Sequence, residues 1–373
     1  MLTDTPGFHH VTGIVGDAQE AVDFYVGTLG LRLVARTVNF EDLLQHHLYF
    51  GDATGAPGTV FTVFPDPHAD PGRVGPPQPE SVSFAVPSGV LEYWRDRLAA
   101  RGVDVEGPLE RFDERALRFT DPAGSRLELV ATSLESSTGI DPSESSRSNA
   151  SATSPATANS ADEPEAADSS DGPGRLAALD GPVPDDAAIR GLHGVSVLSV
   201  NPYATAGTFE TLGFSYEAER EGRVRYRASG SIGAVVDVLD RDASFGREGP
   251  GTIHHVAVRV PEEEALAEWR DLFDDRGYDV SRVKDRHFFH SLYVREPGGI
   301  LFELATEAND VVATVRGTDE LGDDARSDSR PTTSKLYLPD RFERDRALIE
   351  SQLPTLSVPA DATGAPVDHA DEP

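Results

Sequence analysis

The sequence predicts an α+β fold in which four βαβββ units form two blocks of curled, mixed β-sheets. Two observations carry this prediction. The chain has 373 residues, which is enough for two ordinary domains and a sizeable hydrophobic core. In addition, two long segments of the chain repeat one another without a gap.

The internal repeat is clearest in the second half of each block. The segment that starts EYWRDRLAARG aligns with the one that starts AEWRDLFDDRG, so that Trp94 and Trp269 lie 175 positions apart. The same spacing joins Glu128 to Glu303, while the first halves match more weakly at a spacing of 184. Each block therefore holds two units, and the chain holds four.

Each unit opens with a short apolar or alternating run, which is typical of a strand. These runs are FHHVTGIV, VSFAV, LHGVSVLSV and IHHVAVRV. Helical stretches are predicted to follow them, starting near Asp17, Gly89, Asn201 and Pro261. Further strands complete a unit: LRLVART, HHLYFG and TVFTVF in the first, and LYVRE and ILFELAT in the last.

Composition divides the chain into four segments. Residues 134–186 are rich in Ser, Ala, Asp, Glu and Pro and contain no aromatic residue, so they cannot bury enough apolar surface to offset their ordering entropy. The predicted organisation is a first block at 6–133, a disordered acidic linker at 134–186, a second block at 187–310, and a C-terminal appendage at 311–373 with a short helix near Asp340–Leu353 and a frayed tail.

Charge and composition exclude several classes of protein. Lys and Arg total 33 against 64 Asp and Glu, a formal net charge of −31, which disfavours binding to nucleic acid or to an anionic membrane. The chain has no cysteine, so disulfides, thiolate nucleophiles and thiolate-held metal clusters are excluded. No apolar run is long enough to span a bilayer, and the first residues lack the pattern of a signal peptide, so a cytoplasmic location is expected.

The basic residues are almost all arginine. Lys284 and Lys335 are the only lysines in the chain. An acidic, lysine-poor surface without cysteine is typical of a protein from a salt-loving organism, in which high salt screens the self-repulsion of the chain. The acidity is therefore interpreted as an adaptation of the surface and not as a sign of the reaction.

Histidine pairs open the first and the last unit. His9 and His10 lie in the first strand, His254 and His255 open the fourth unit, and Glu303 lies in the apolar run ILFELAT. Neighbours on a strand face opposite sides, so one histidine of each pair is expected to face the interior. Two imidazoles and a buried carboxylate form the set that leaves open positions on non-haem Fe(II) for O₂ and substrate. Structural histidines and a salt-bridged glutamate are the alternative.

Several motifs together resemble one known family. HHVT near the N-terminus, GTIHHVAV and DRHFFHSLYVREPGGILFELAT, together with the four βαβββ units, resemble the vicinal-oxygen-chelate superfamily, so that each block is glyoxalase-like. Within it, the chain is similar to ring-cleaving dioxygenases of the 2,6-dichlorohydroquinone dioxygenase type. The resemblance covers both blocks. It implies an Fe(II)-dependent extradiol-type enzyme, with Mn(II) as the other candidate metal, that acts on a small aromatic diol and O₂.

The resemblance also implies roles for individual residues. The metal would be held by His10, His255 and Glu303. The residues expected around these ligands and the substrate are His9, Thr12, His254, Arg286 and Tyr293. Of these, His254 and Tyr293 are the preferred candidates for proton transfer with the diol, while Arg286 could hold a developing oxyanion.

The repeat register tests this ligand set. In the family fold two units form one cup, and ligands come from the first and last strands of each unit. The opening positions of the four units carry His10, Ser81, Gly194 and His255, and the closing positions of the second and fourth units carry Glu128 and Glu303. Only the pairing of the first unit with the fourth places two histidines and a glutamate in one cup. His193, which aligns with His9, is expected to be structural.

Two other functions stay open at this point. A glyoxalase-like lyase or isomerase typically uses four protein ligands, yet the candidate closing strand of the first unit, Thr59–Phe64, carries no acid. A metal-free protein that binds small molecules such as drugs needs neither the histidine pairs nor a buried glutamate. The substituents of the substrate ring, the choice of Fe or Mn, and the oligomeric state, a homo-oligomer included, are not predicted.

Overall fold

The computed structural model describes residues 2, 4–52, 54–132, 183–307 and 335–357. The predicted linker lies outside these residues except for its last four positions, and the start and the end of the C-terminal appendage lie outside them as well.

The described strands follow the four predicted units. The first two units contain β1 (Phe8–Val15), β2 (Arg32–Asn39), β3 (Asp42–Gly51), β4 (Val60–Pro65), β5 (Gln78–Pro87), β6 (Glu106–Arg111), β7 (Glu114–Thr120) and β8 (Arg126–Thr132). The last two units contain β9 (Gly191–Leu198), β10 (Ser215–Arg220), β11 (Arg223–Arg227), β12 (Val235–Leu239), β13 (Thr252–Val260), β14 (Asp279–Val280), β15 (Lys284–Asp285), β16 (His290–Arg295) and β17 (Leu301–Thr306).

One helix follows the opening strand of each unit, and two short helices lie in the appendage. Two N-termini are capped by side chains, since Asp17 accepts hydrogen bonds from the backbone N–H groups of Gln19 and Glu20, and Asn201 accepts one from Ala204. No helix in the described ranges is long and apolar enough to cross a membrane. The helices are Ala18–Val22, continued by a π-helix at Asp23–Thr28, then Leu91–Ala100, Pro202–Thr211, Glu263–Asp275, Asp340–Glu343 and Arg346–Gln352.

The strand order shows which units share a sheet. The first sheet runs β14-β16-β17-β13-β1-β4-β3-β2, with β15 pairing to β16, and so combines the fourth unit with the first. The second sheet runs β10-β11-β12-β9-β5-β8-β7-β6 and combines the third unit with the second. Antiparallel pairs join the units, β1 with β13 and β5 with β9. The predicted α+β fold class is confirmed, and the first unit pairs with the fourth as the repeat register indicated.

The two sheets share one hydrophobic core. Phe61 of β4 and Phe84 of β5 meet in it with ring centroids 6.1 Å apart, and both side chains are fully buried. Trp94 and Trp269, which align in the repeat, are buried on the helices of the second and fourth units. A buried aromatic side chain contributes roughly 2–3 kcal/mol, so each tryptophan holds its helix against the sheets.

The C-terminal appendage packs on the first sheet. Its backbone bonds to β2, where the N–H of Tyr337 donates to the carbonyl of Arg36 at 2.8 Å. Arg341 reaches the fourth unit and lies 3.2 Å from Asp285 on β15. Four aliphatic side chains of the appendage are buried with Val38 of β2, namely Leu336, Leu338, Ile349 and Leu353.

A network of buried charges links four strands of the second sheet. His193 Nε2 lies 2.9 Å from Glu114 Oε1, and the guanidinium of Arg225 bonds both to Glu114 and to Asp237. Burial alone would raise the pKa of Glu114, but His193 and Arg225 hold it at about 2. His193, expected to be structural, lies within this network.

Replacing Glu114 should reduce stability in a pH-dependent way. Its pKa is lower in the folded chain than the ordinary value of about 4.3, so its contribution is complete above that value and is lost as the pH falls toward 2. We expect Glu114→Gln to lower the free energy of unfolding by about 2 kcal/mol at pH 7, a difference that shrinks below about pH 4.

Urea unfolding at pH 7 and at pH 3 measures this difference. Glu110→Gln is the matched control, because Glu110 is 72% exposed on a neighbouring strand and lies 3.8 Å from Arg115. An exposed ion pair of this kind contributes less than about 1 kcal/mol. Equal losses from the two substitutions would contradict the expected role of Glu114.

Candidate metal centre

Three side chains from three neighbouring strands converge in the first sheet. His10 lies on β1, His255 on β13 and Glu303 on β17, and none is more than 2% exposed. Glu303 Oε2 lies 3.1 Å from His10 Nε2 and 2.9 Å from His255 Nε2. The register explains the convergence, because Thr12 pairs with His255 across β1 and β13, and Ala257 pairs with Glu303 across β13 and β17.

Two β-bulges bring neighbouring histidines into contact. The ladder between β1 and β13 shifts register at His9 and again at His254, so each is an extra residue in its strand. A bulge bends a strand and re-aims its side chains, and the strict alternation expected for the two pairs does not hold. Nδ1 of His9 lies 2.9 Å from Nδ1 of His10, and Nδ1 of His254 lies 2.7 Å from Nδ1 of His255.

The centre holds a carboxylate that is buried between two imidazoles. Burial alone would raise the pKa of Glu303, but the close imidazoles of His10 and His255 hold it well below its ordinary value. Burial lowers the pKa of His255 to about 3, so this imidazole is neutral near pH 7. Within the described residues, neither oxygen of Glu303 forms an aligned hydrogen bond, although both imidazole nitrogens lie within 3.1 Å of Oε2. Two nitrogens and an oxygen that approach without aligned hydrogen bonds fit the donor set of a divalent metal.

A row of hydrogen bonds leads from the centre across β1, β4 and β3. Thr12 Oγ1 lies 3.0 Å from His255 Nε2 and 2.8 Å from Thr62 Oγ1, which in turn lies 2.9 Å from His47 Nε2. Either atom of each pair can be the donor, so the row holds the orientation of the His255 ring without deciding its tautomer.

A cavity of about 420 Å³ opens from the three converging side chains. Of the residues predicted around the substrate, His254, Arg286 and Tyr293 line it, and Arg286 Nη2 lies 3.2 Å from the hydroxyl of Tyr293. The cavity wall also contains residues that the sequence analysis did not predict, namely Glu41, His47, Tyr49, Phe64, Lys284 and Phe289. For His47 a signal was available, because HHLYFG contains a third histidine pair.

His9 and Thr12 lie outside the lining of this cavity. The bulge turns His9 toward His10, and Phe289 packs on the His9 ring with centroids 4.9 Å apart. Burial lowers the pKa of His9 to about 3. His9 thus contacts the proposed ligand His10 and is a neutral support behind its ring, while a contact of His9 with the substrate stays a prediction.

The equivalent positions of the second sheet are occupied differently. Gly194 and Ser81 stand where the first sheet has His10 and His255. Glu128, the counterpart of Glu303, accepts hydrogen bonds from Arg111 at 3.2 Å and from Arg118 at 2.7 Å. Arginine thus supplies the positive charge beside the carboxylate of this sheet.

Sequence comparison places the chain in a family. The family model for the Glyoxalase/Bleomycin resistance protein/Dioxygenase superfamily matches residues 7–129 and 150–304. The chain belongs to this superfamily. The predicted family is therefore confirmed, and the confirmed fold is the one that the family implies.

Curated relatives cover almost the whole chain. A Bacillus subtilis protein named "Putative ring-cleaving dioxygenase MhqO" is 36% identical over 358 residues, 95% of this chain and 97% of the relative. The "Chlorohydroquinone/hydroquinone 1,2-dioxygenase" of Sphingobium indicum is 32% identical over 309 residues, 80% of this chain and 84% of the relative. These names confirm the predicted enzyme class, a dioxygenase.

Solved structures agree with this assignment. A crystal structure described as a "putative dioxygenase" from Bacillus subtilis covers 96% of this chain and 99% of its own, with a TM-score of 0.77 and 33% identity. Glyoxalase I from Zea mays matches with a TM-score of 0.54 and 13% identity, over 81% of this chain and 92% of its own. The second likeness concerns the fold alone.

Proposed function

We propose that the protein is an Fe(II)-dependent, extradiol-type ring-cleaving dioxygenase of hydroquinone- or catechol-like aromatic diols. The observation that carries the proposal is the convergence of His10, His255 and Glu303 beside a cavity with aromatic walls. The name of the Sphingobium indicum relative, a hydroquinone 1,2-dioxygenase, supports this substrate class.

His10, His255 and Glu303 are the proposed metal ligands. Two imidazoles and one carboxylate suit Fe(II), with Mn(II) as the other candidate, and they leave adjacent positions open for a diol and for O₂. A metal held there would lower the pKa of a coordinated hydroxyl and would bring the diol and O₂ into electronic contact.

The remaining cavity residues orient the diol and handle its proton. Tyr49 and Phe64 offer ring faces to an aromatic ligand. Burial raises the pKa of Tyr293 well above its ordinary value, so its hydroxyl stays protonated and can donate a hydrogen bond. His254 lines the same cavity and presents an imidazole that can accept or donate at a hydroxyl of the diol.

The position of Thr62 argues against a four-ligand lyase or isomerase. Thr62 pairs with Thr12, two residues after His10, just as Glu303 pairs with Ala257, two residues after His255. The first unit therefore has a threonine at the position where a second acidic ligand would lie. Across the described ranges, the three ligand candidates form the only cluster of three or more His, Asp or Glu side chains with converging ligand atoms.

A metal-free binding protein is the less favoured alternative. In such a protein the ionised carboxylate of Glu303 would remain buried with only the two close imidazoles beside it, and without an aligned hydrogen bond from any described residue. That arrangement costs free energy and brings no benefit to a cavity that binds only by apolar contact.

O₂ uptake after anaerobic loading with Fe(II) tests the proposed function. We expect the loaded protein to consume O₂ with a hydroquinone or a catechol and to release a ring-opened acid. With ¹⁸O₂, the product should carry the label. No uptake with any diol of either kind, or an unlabelled product, would show that the proposed reaction is wrong.

Each proposed ligand should be needed for metal binding. We expect His10→Ala, His255→Ala and Glu303→Gln each to lower the bound iron by at least about tenfold, because even outer contacts of a metal site change its affinity 10–100-fold. Metal analysis measures this content, and the rise in melting temperature on adding Fe(II) gives a second measure. His193→Ala, the repeat counterpart of His9, should keep its iron. Full iron in His10→Ala would show that the cup pairing is misassigned.

Loss of the proposed proton-handling groups should slow turnover even when each variant is loaded with Fe(II) to the level of the unmodified protein. We expect His254→Ala and Tyr293→Phe each to lower kcat by about 10²-fold, the usual range for general acid–base groups. Tyr278→Phe is the matched control, since the Tyr278 hydroxyl contacts Thr208 at 3.3 Å and lies outside the cavity. Full turnover in both His254→Ala and Tyr293→Phe would mean that these residues only support the scaffold.

A further inference from the structure

A cluster of three charged side chains closes one side of the cavity. Glu41 lies in the turn between β2 and β3 of the first unit, Lys284 lies on β15, and Arg286 follows β15 in the fourth unit. All three line the cavity, and we refer to them as the rim cluster. Because its members come from two units, the rim cluster joins opposite walls of the cavity.

One carboxylate oxygen pairs with both cations of the rim cluster. Lys284 Nζ contacts Glu41 Oε1, and Arg286 Nη2 lies 3.2 Å from the same oxygen. Lys284 first, and Arg286 after it, hold the pKa of Glu41 below its ordinary value. Arg286 Nη2 also lies 3.2 Å from the hydroxyl of Tyr293. The cations that pair with Glu41 therefore lie beside a residue proposed to transfer a proton with the diol.

The carboxylate lies on the solvent side of the rim cluster. The side chain of Glu41 is 56% exposed, against 27% for Lys284 and 15% for Arg286. Two cations set this far into the cavity wall would attract an anionic substituent on a ligand, and the single negative charge of Glu41 reduces that attraction.

The lysine of the rim cluster is unusual for this chain. Only two of its 33 basic residues are lysine, and one of them is Lys284. The ammonium group is a compact charge on a flexible stem, whereas arginine favours fixed, fork-like pairing. A lysine at this position can therefore pair either with Glu41 or with a group on a ligand.

We propose that Glu41 sets the charge selectivity of the cavity. With Glu41 present, the cavity takes uncharged aromatic diols; without it, the freed Lys284 and Arg286 admit diols that carry a ring carboxylate. This inference rests on the proposed function, because it requires an aromatic diol in the cavity. The net charge of −31 acts in the same direction, since it disfavours the approach of anions.

Glu41→Gln tests the proposal, because glutamine keeps the size of the side chain and removes its charge. Dissociation constants of Fe(II)-loaded protein for hydroquinone and 2,5-dihydroxybenzoate are measured anaerobically by calorimetry, and kcat/KM for each is measured by O₂ uptake. We expect the affinity for 2,5-dihydroxybenzoate relative to hydroquinone to rise about tenfold in the variant, an effect between those of exposed and buried ion pairs.

Two further variants separate freed cations from a general change of charge. Asp66→Asn is the matched control, because Asp66 lines the same cavity and its replacement leaves Lys284 and Arg286 bound to Glu41. We expect little change in the affinity ratio for Asp66→Asn. Adding Lys284→Gln to Glu41→Gln should remove most of the gain.

Several results would overturn the proposal: an unchanged affinity ratio in Glu41→Gln, an equal shift in Asp66→Asn, a full gain in the double variant, or no binding of either compound. A shifted ratio of dissociation constants without O₂ uptake in any variant would have a different meaning. In that case the charge selectivity stands and the proposed reaction fails.

Discussion

The antiparallel pairing of β1 with β13 is the constraint on which the site depends. It joins the first unit to the last, although 236 residues of chain (16–251) lie between the two strands, and it places His10 near His255. Parallel pairing of β13 with β17 then adds Glu303 from the next strand. The two bulges belong to the same ladder, so a one-residue slip of β1 against β13 would misplace the proposed ligands together with the histidines that contact them.

The second sheet has the same architecture but lacks the two histidines of the proposed metal site. Its central ladder, between β5 and β9, also shifts register twice, next to Ser81 and next to Gly194. These are the repeat counterparts of the two proposed histidine ligands, so the bulges belong to the duplicated framework and not to the proposed metal centre itself. The closing carboxylate is kept as Glu128, and Arg111 and Arg118 neutralise it. A buried carboxylate needs a positive partner, which arginine supplies in the second sheet and which the proposed metal would supply in the first.

Much of the architecture and the three proposed ligands could be predicted because the internal repeat shows which positions of the four units are equivalent. Once Glu128 aligns with Glu303, only one pairing of units brings two histidines to a glutamate. The bulges could not be predicted, since one extra residue in a strand leaves no mark on repeat spacing, and for that reason the contact of His9 with His10 could not be predicted either. The contact of Glu41 with Lys284 was also out of reach, because it joins residues 243 positions apart through the way the sheet curls.

Contacts between the first and fourth units stabilise the curl of the first sheet at the entrance of the cavity as well as at the ladder between β1 and β13. The C-terminal appendage bonds to β2 through Tyr337, and the ring of Tyr337 lies 5.3 Å from that of His287 in the turn before β16. Arg341 lies 4.9 Å above the ring of Phe40, next to Glu41, and also pairs with Asp285. The first and fourth units are therefore connected in two independent ways at this entrance. One connection runs through Glu41 inside the cavity, and the other runs through the appendage outside it. Because of the second connection, Glu41 can act on the charge of the cavity without being needed for its shape.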